Sequence, residues 1–141
     1  MKIQTYVRRS IAFAVALFLA VTMTVTASVS PAYAFQQSDF DTLKLTKKCP
    51  SCDLTNADLH GVDLSSAVLR DANLSGADLS GANLTGSSLA RTNLSNANLK
   101  GTQLNNSKLG LANLTNADLD QASLTGAVFY QTIMPDGSLR S

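Results

Sequence analysis

The sequence predicts an all-β solenoid: a square coil of twenty residues, stacked about four times, behind a short N-terminal helix. Three observations lead there. Leucine recurs at every fifth residue from Leu54 to Leu124, fifteen times without a miss, and Phe129 and Met134 extend the series. Two positions before each of these lies a small residue, most often alanine, as at Ala57, Ala67, Ala72, Ala77 and Ala82. The remaining positions are almost all Asn, Asp, Ser, Thr and Gly.

A period of five suits neither regular element. On an α-helix, leucines five apart would advance about 140° each time and spread around the cylinder. On a strand they would fall on alternate faces. The pattern is satisfied if each five-residue unit is one side of a square, with the leucine turned to the axis and the small residue beside it. The other three positions then face water and make corners, which suits short polar side chains that bond nearby backbone.

The elements follow in chain order. Lys2, Arg8 and Arg9 precede an apolar stretch from Ile11 to Val25, and Ser30-Pro31-Ala32-Tyr33-Ala34 supplies a small-x-small cleavage site. Residues 1–34 therefore read as a signal peptide cut between Ala34 and Phe35, with the general secretory route as the default over the twin-arginine route. Residues 35–51 form an N-terminal cap. In it Ser38 or Asp39 serves as helix N-cap, Phe40 and Leu43 lie three apart, and Lys44, Lys47 and Lys48 lie at the end where cations suit the helix dipole. Residues 52–136 are seventeen repeat units without an insertion. Pro135-Asp136-Gly137 is a turn that stops the coil, and residues 137–141 are a tail.

Ala57-Asp58-Leu59, Ala72-Asn73-Leu74-Ser75-Gly76, Ala77-Asp78-Leu79-Ser80-Gly81 and Ala82-Asn83-Leu84-Thr85-Gly86 resemble the pentapeptide-repeat family, whose pattern is A-(D/N)-L-x-x. The resemblance implies a right-handed quadrilateral parallel β-helix. The Lys47-Lys48-Cys49-Pro50-Ser51-Cys52-Asp53-Leu54 junction and the Thr132–Gly137 tail are similar to exported cyanobacterial members. That implies a thylakoid lumen or, failing that, a periplasm.

Loss of the leader removes three cations, leaving eight Lys and Arg against ten Asp and no Glu, a net charge of −2. This balance fits neither a nucleic-acid binder nor a strongly acidic mimic of one. No nucleic acid, no membrane after cleavage, no cofactor and a monomer are expected. Cys49 and Cys52, in an exported chain, read first as a structural disulfide at the cap, with a thiol switch or a metal site as alternatives. A metal site would lack ligands, since His60 is the only histidine and a structural tetrahedral site needs four. His60 reads as a solvated surface residue. No serine or threonine has an activating base in register, so no enzyme is expected.

The twenty-residue coil stacks residues twenty apart. Asp58, Asp78, Asn98 and Asp118 form an acidic ladder on one side, where oxygens could meet a cation such as calcium or simply bond one another. Asp53, Asn73, Asn93 and Asn113 form a neutral polar ladder on another. The fourth side is irregular, with Val68, Arg70, Asp71, Arg91, Lys108, Leu111, Val128 and Tyr130 turned outward. Apolar groups rimmed by charge mark it as the candidate partner face.

The functional expectation is a non-catalytic exported scaffold or protein-interaction module. One alternative is a thiol-regulated lumenal protein using Cys49 and Cys52. The other is suggested by family members that resemble duplex DNA and protect DNA gyrase. The leader and the weak net charge argue against that second alternative.

Overall fold

The structure, a computed structural model, describes residues 37–141. The expected leader and its cleavage site at Ala34 and Phe35 lie outside the described residues. Helix α1 spans Gln37–Thr46, and strands β1 (Thr132–Ile133) and β2 (Leu139–Arg140) form a small antiparallel pair. Between them the chain makes fourteen single-residue parallel bridges, every one joining residues twenty apart, from Lys48↔Val68 to Asn113↔Ile133. Twenty residues therefore make one coil.

Each coil has four corners, and every corner from Leu54 to Leu124 is the same turn. The Ala57 amide donates to the Leu54 carbonyl (3.0 Å), and the next three corners repeat this bond from Val62, Ala67 and Ala72. The residue after the middle of each turn has a positive φ, as at Asn56 (57°), Gly61 (63°), Ser66 (59°) and Asp71 (62°). A turn with a left-handed third residue favours Gly or Asn there. Gly76 has a further reason to be glycine, because a Cβ would collide with the Asn56 carboxamide one coil above.

The Asp or Asn that precedes ten of the fifteen leucines is explained by the same corner. Asp58 Oδ1 accepts from the His60 amide, Asn83 Oδ1 from Thr85 and Asp118 Oδ1 from Asp120, all near 3 Å. These Asx turns satisfy an amide that the turn leaves without a backbone acceptor. Coils are joined by backbone bonds on each side, for example Leu54 N–H to Asn73 carbonyl and Asn73 N–H to Cys52 carbonyl, both 2.8 Å.

Every leucine of the series from Leu54 to Leu114 is fully buried, with the small residues packed beside them. Burying one leucine stabilises by roughly 1.5–3 kcal/mol, so the repeat supplies its own core at each step. Where threonine replaces alanine inside, its hydroxyl finds a carbonyl one coil back: Thr92 donates to Leu69, Thr102 to Leu79 and Thr132 to Leu109, at 2.7–2.8 Å.

The two ends differ. At the first coil, α1 buries Leu43 and packs Phe40 against the core. Asp39 is not an N-cap, and neither is Ser38: both lie within the helical span Gln37–Thr46. The Asp39 carboxylate instead accepts the Asp53 amide (2.9 Å), which has no coil above to bond. Lys47 ends the helix in a left-handed conformation (φ 54°), its amide on the Leu43 carbonyl at 2.8 Å, which is the αL form of C-cap. At the last coil, Gly137 turns the chain so that β2 returns along β1. The Arg140 guanidinium then lies 3.9 Å above the Phe129 ring, while Leu119 and Leu124 remain only partly buried. Among the described residues no helix is long and apolar enough to cross a membrane.

Candidate interaction surface

The stacking places the expected ladders in register. Asp58, Asp78, Asn98 and Asp118 are successive rungs of the second side, and Asp53, Asn73, Asn93 and Asn113 of the first. Their side chains are already engaged. Asp78 Oδ1 accepts from the Ser80 hydroxyl (2.6 Å) and the Asn98 carboxamide (3.1 Å). Asn93 donates to Asn73 Oδ1 at 3.1 Å, and Lys100 pairs with Asp118 at 3.2 Å. The Ser80 bonds hold the Asp78 carboxyl below its ordinary range. The backbone bond from Asp120, with the Lys100 contact, does the same for Asp118. No cluster of three or more metal-ligating side chains is found among the described residues. His60 is exposed, its Nδ1 2.9 Å from the Ser80 hydroxyl.

Cys49 and Cys52 are joined in a disulfide, Cα–Cα 5.4 Å. Cys49 is buried in the large inward slot five residues before Leu54, above Leu69, and Cys52 is half-buried in the small slot. The bridge therefore ties an inward corner of the cap to the first full unit, and Cys49 Sγ lies 3.2 Å from the Asp39 carbonyl oxygen of α1.

The fourth side differs from the others. Its rungs are Lys48, Val68, Ser88, Lys108 and Val128. Its corner stacks Asp71, Arg91, Leu111 and Gln131, with Arg91 amide on the Gly110 carbonyl and Leu111 amide on the Tyr130 carbonyl. Leu111 is 47% exposed, Val128 56% and Tyr130 59%. Val68, expected to stand outward with them, is half-buried, because coils flank it on both sides, at Lys48 and at Ser88, whereas Val128 is bridged only to Lys108. Arg91 grips Asp71 through both carboxylate oxygens, at 2.5 and 2.8 Å. That contact lowers the Asp71 pKa and raises that of Arg91. Among the described residues Arg70 and Lys108 are in no ion pair. The fourth side is thus cationic and partly apolar. Two sides away, the second side carries Asp58, Asp78, Asp118 and Asp120 against Lys100.

Comparison with known proteins agrees with this geometry. The family model "Pentapeptide repeats" matches in eight copies over residues 51–86, 72–110 and 108–140. A pentapeptide repeat protein from the Arabidopsis thaliana thylakoid lumen is 28% identical, with a TM-score of 0.60 over 67% of this chain and 70% of its own. One from Nostoc PCC 7120 is 33% identical, with a TM-score of 0.46 over 69% of this chain and 77% of its own. A plasmid-mediated fluoroquinolone resistance protein is 18% identical, with a TM-score of 0.26 over 62% of this chain and 60% of its own. No curated protein matches the chain. The unbroken leucine period, the twenty-residue bridges and the matched repeats have one meaning: this chain belongs to the pentapeptide-repeat family.

Proposed function

We propose that the protein is a non-catalytic interaction module of an exported compartment, the thylakoid lumen or a periplasm, and that it presents its fourth side to a protein partner. The observation that carries this reading is the grouping of Leu111, Val128 and Tyr130, all exposed, with Arg70, Arg91 and Lys108. The other sides offer mostly Asn, Asp, Ser, Thr and Gly, with His60 and Lys100 on the second, and many of these side chains bond one another. A rigid solenoid lowers the ordering cost of binding, since its surface is already set. The leader-like residues 1–34 and the likeness to a lumenal plant protein support export. We take the coil to be right-handed, the sense that parallel crossovers adopt, and α1 to be its N-terminal cap.

The Cys49–Cys52 bridge supports a second reading, in which a lumenal dithiol oxidoreductase opens the bridge and alters partner binding. Partner affinity of oxidised and reduced protein separates the two readings. No observation favours a gyrase-binding DNA mimic, whose acidic surface would have to replace the cationic fourth side.

The test is co-purification from native lumenal or periplasmic extract. The Arg91→Ala/Tyr130→Ala double variant should keep the wild-type circular dichroism spectrum and lose a partner that wild type retains. An unchanged set of partners would count against the reading.

A further inference from the structure

We propose that the binding epitope is the fourth corner of the coil, centred on Leu111 with Tyr130 and Arg91, and that its ligand is a short acidic peptide segment with an apolar anchor. This inference rests on the interaction-module reading and names its epitope and ligand chemistry.

Backbone strain singles out the fourth corner. Every corner demands a left-handed residue. The first corner meets the demand with Asn56, Gly76, Asn96 and Asn116, the second with three glycines and Gln121, the third with Ser66, Gly86, Asn106 and Gly126. The fourth uses Ser51, Asp71, Arg91, Leu111 and Gln131, with no glycine or asparagine in any coil. A Cβ disfavours this conformation, and leucine has no polar group with which to bond local backbone. Leu111 holds φ 62° with its side chain 47% exposed and outside the leucine core, so neither the turn nor the core explains it. Strain of this kind persists where the side chain is used.

Charge and size define the ligand. Arg70 and Lys108 lack ion-pair partners among the described residues, and Leu111, Val128 and Tyr130 continue the same side toward the last coil. Two fourth sides facing each other would oppose their cations. The acidic second side of another copy offers no apolar counterpart. One side of a four-coil rod is about 20 Å long and about 15 Å wide at ordinary strand spacings. That is well under the ~800 Å² per partner of a standard protein interface. A peptide strand laid along the rod fits; a second globular surface of that size does not.

The probe is a display library of random peptides long enough to span the side, about six residues at ~3.3 Å each. It is selected against the exported chain with its disulfide intact. Enriched peptides should carry several carboxylates and an aromatic or aliphatic residue, and should bind more weakly as salt rises. Leu111→Asn should weaken them about tenfold or more, as truncation of an interface anchor does, while melting at or above the wild-type temperature. Arg70→Ala/Lys108→Ala should weaken them as well. Peptides that bind wild type and Leu111→Asn equally would overturn the epitope and leave the interaction-module reading standing. A lower melting temperature with full binding would make Leu111 structural and overturn the strain argument. Neutral or basic winners, or no enrichment, would overturn the ligand chemistry, while co-purification would still decide the wider reading.

Discussion

Ser87→Ala should stabilise the protein. Ser87 occupies a small inward slot on the fourth side, in the column Ala67, Ser87, Ser107, Ala127, and is fully buried. Ser107 Oγ donates to the Leu104 carbonyl at 2.7 Å, but Ser87 Oγ is buried without a partner. A hydroxyl left so costs about 1–3 kcal/mol of desolvation. Alanine removes that cost and leaves a void the size of one oxygen, roughly 15–20 Å³, worth about 0.4 kcal/mol at the usual cavity coefficient. The net gain is about 1–2 kcal/mol, and each kcal/mol raises the melting temperature by roughly 4–8 °C in a domain near this size. Ser107→Ala is the control. It loses a made bond and should destabilise by about 1 kcal/mol. Thermal melts of both variants by circular dichroism decide the matter. If Ser87→Ala melts at or below wild type while Ser107→Ala falls, Ser87 has a partner such as an ordered water, and the reasoning is refuted.

Other outcomes follow from the same structure. Leu94→Asp puts a carboxylate into the middle of the leucine stack, where Leu94 is fully buried, and should abolish folding; a cooperative melt near wild type would sink the inward assignment. Asp63 is pulled from 3.8 to about 2, first by the Lys47 hydrogen bond and then by those of Ser65, and Asp71, Asp78, Asp118 and Asp136 are also lowered. Lowered folded values contribute stability that is complete above the unfolded value of 3.8 and is lost as pH falls toward 2. Melting temperature should therefore be flat near neutrality and fall across that acid window, and Lys47→Met should move the Asp63 carbon resonance titration upward. Opening the Cys49–Cys52 loop, with a sequence separation of three, should cost about 2 kcal/mol in the chain-entropy account. Urea unfolding of Cys49→Ala/Cys52→Ala measures it, and a loss much above that would mean the bridge also orders α1.

Much of this molecule was legible because one rule repeats. A five-residue leucine period suits neither helix nor strand and fits the sides of a coil, and the expected fourfold register correctly stacks Asp58 on Asp78 and Asp53 on Asn73. The short polar residues and glycines between the leucines already announced corners. What stayed hidden lies where residue type and slot disagree. Cys49 fills a leucine slot, which a leucine count cannot reveal. Asp39 looks like an N-cap but works as a substitute acceptor for the missing coil. The β1–β2 return rests on two-residue strands and on Arg140 over Phe129, too short for any alternation to show. At the fourth corner, Arg91 and Leu111 adopt a glycine-like backbone that their identities do not advertise. The sequence pointed to that side by its exposed groups, and the backbone angles add an independent reason to look there.

The most direct test of the account is site-specific photo-crosslinking in native extract, with a benzophenone amino acid placed singly at positions 130, 111, 75 and 115. Tyr130 and Leu111 lie on the fourth side, whereas Ser75 and Thr115 follow the polar ladder of the first. The account predicts a discrete adduct from positions 130 and 111 and none from 75 and 115. The same adducts from both sides, or none from position 130 with the protein folded and exported, would contradict it.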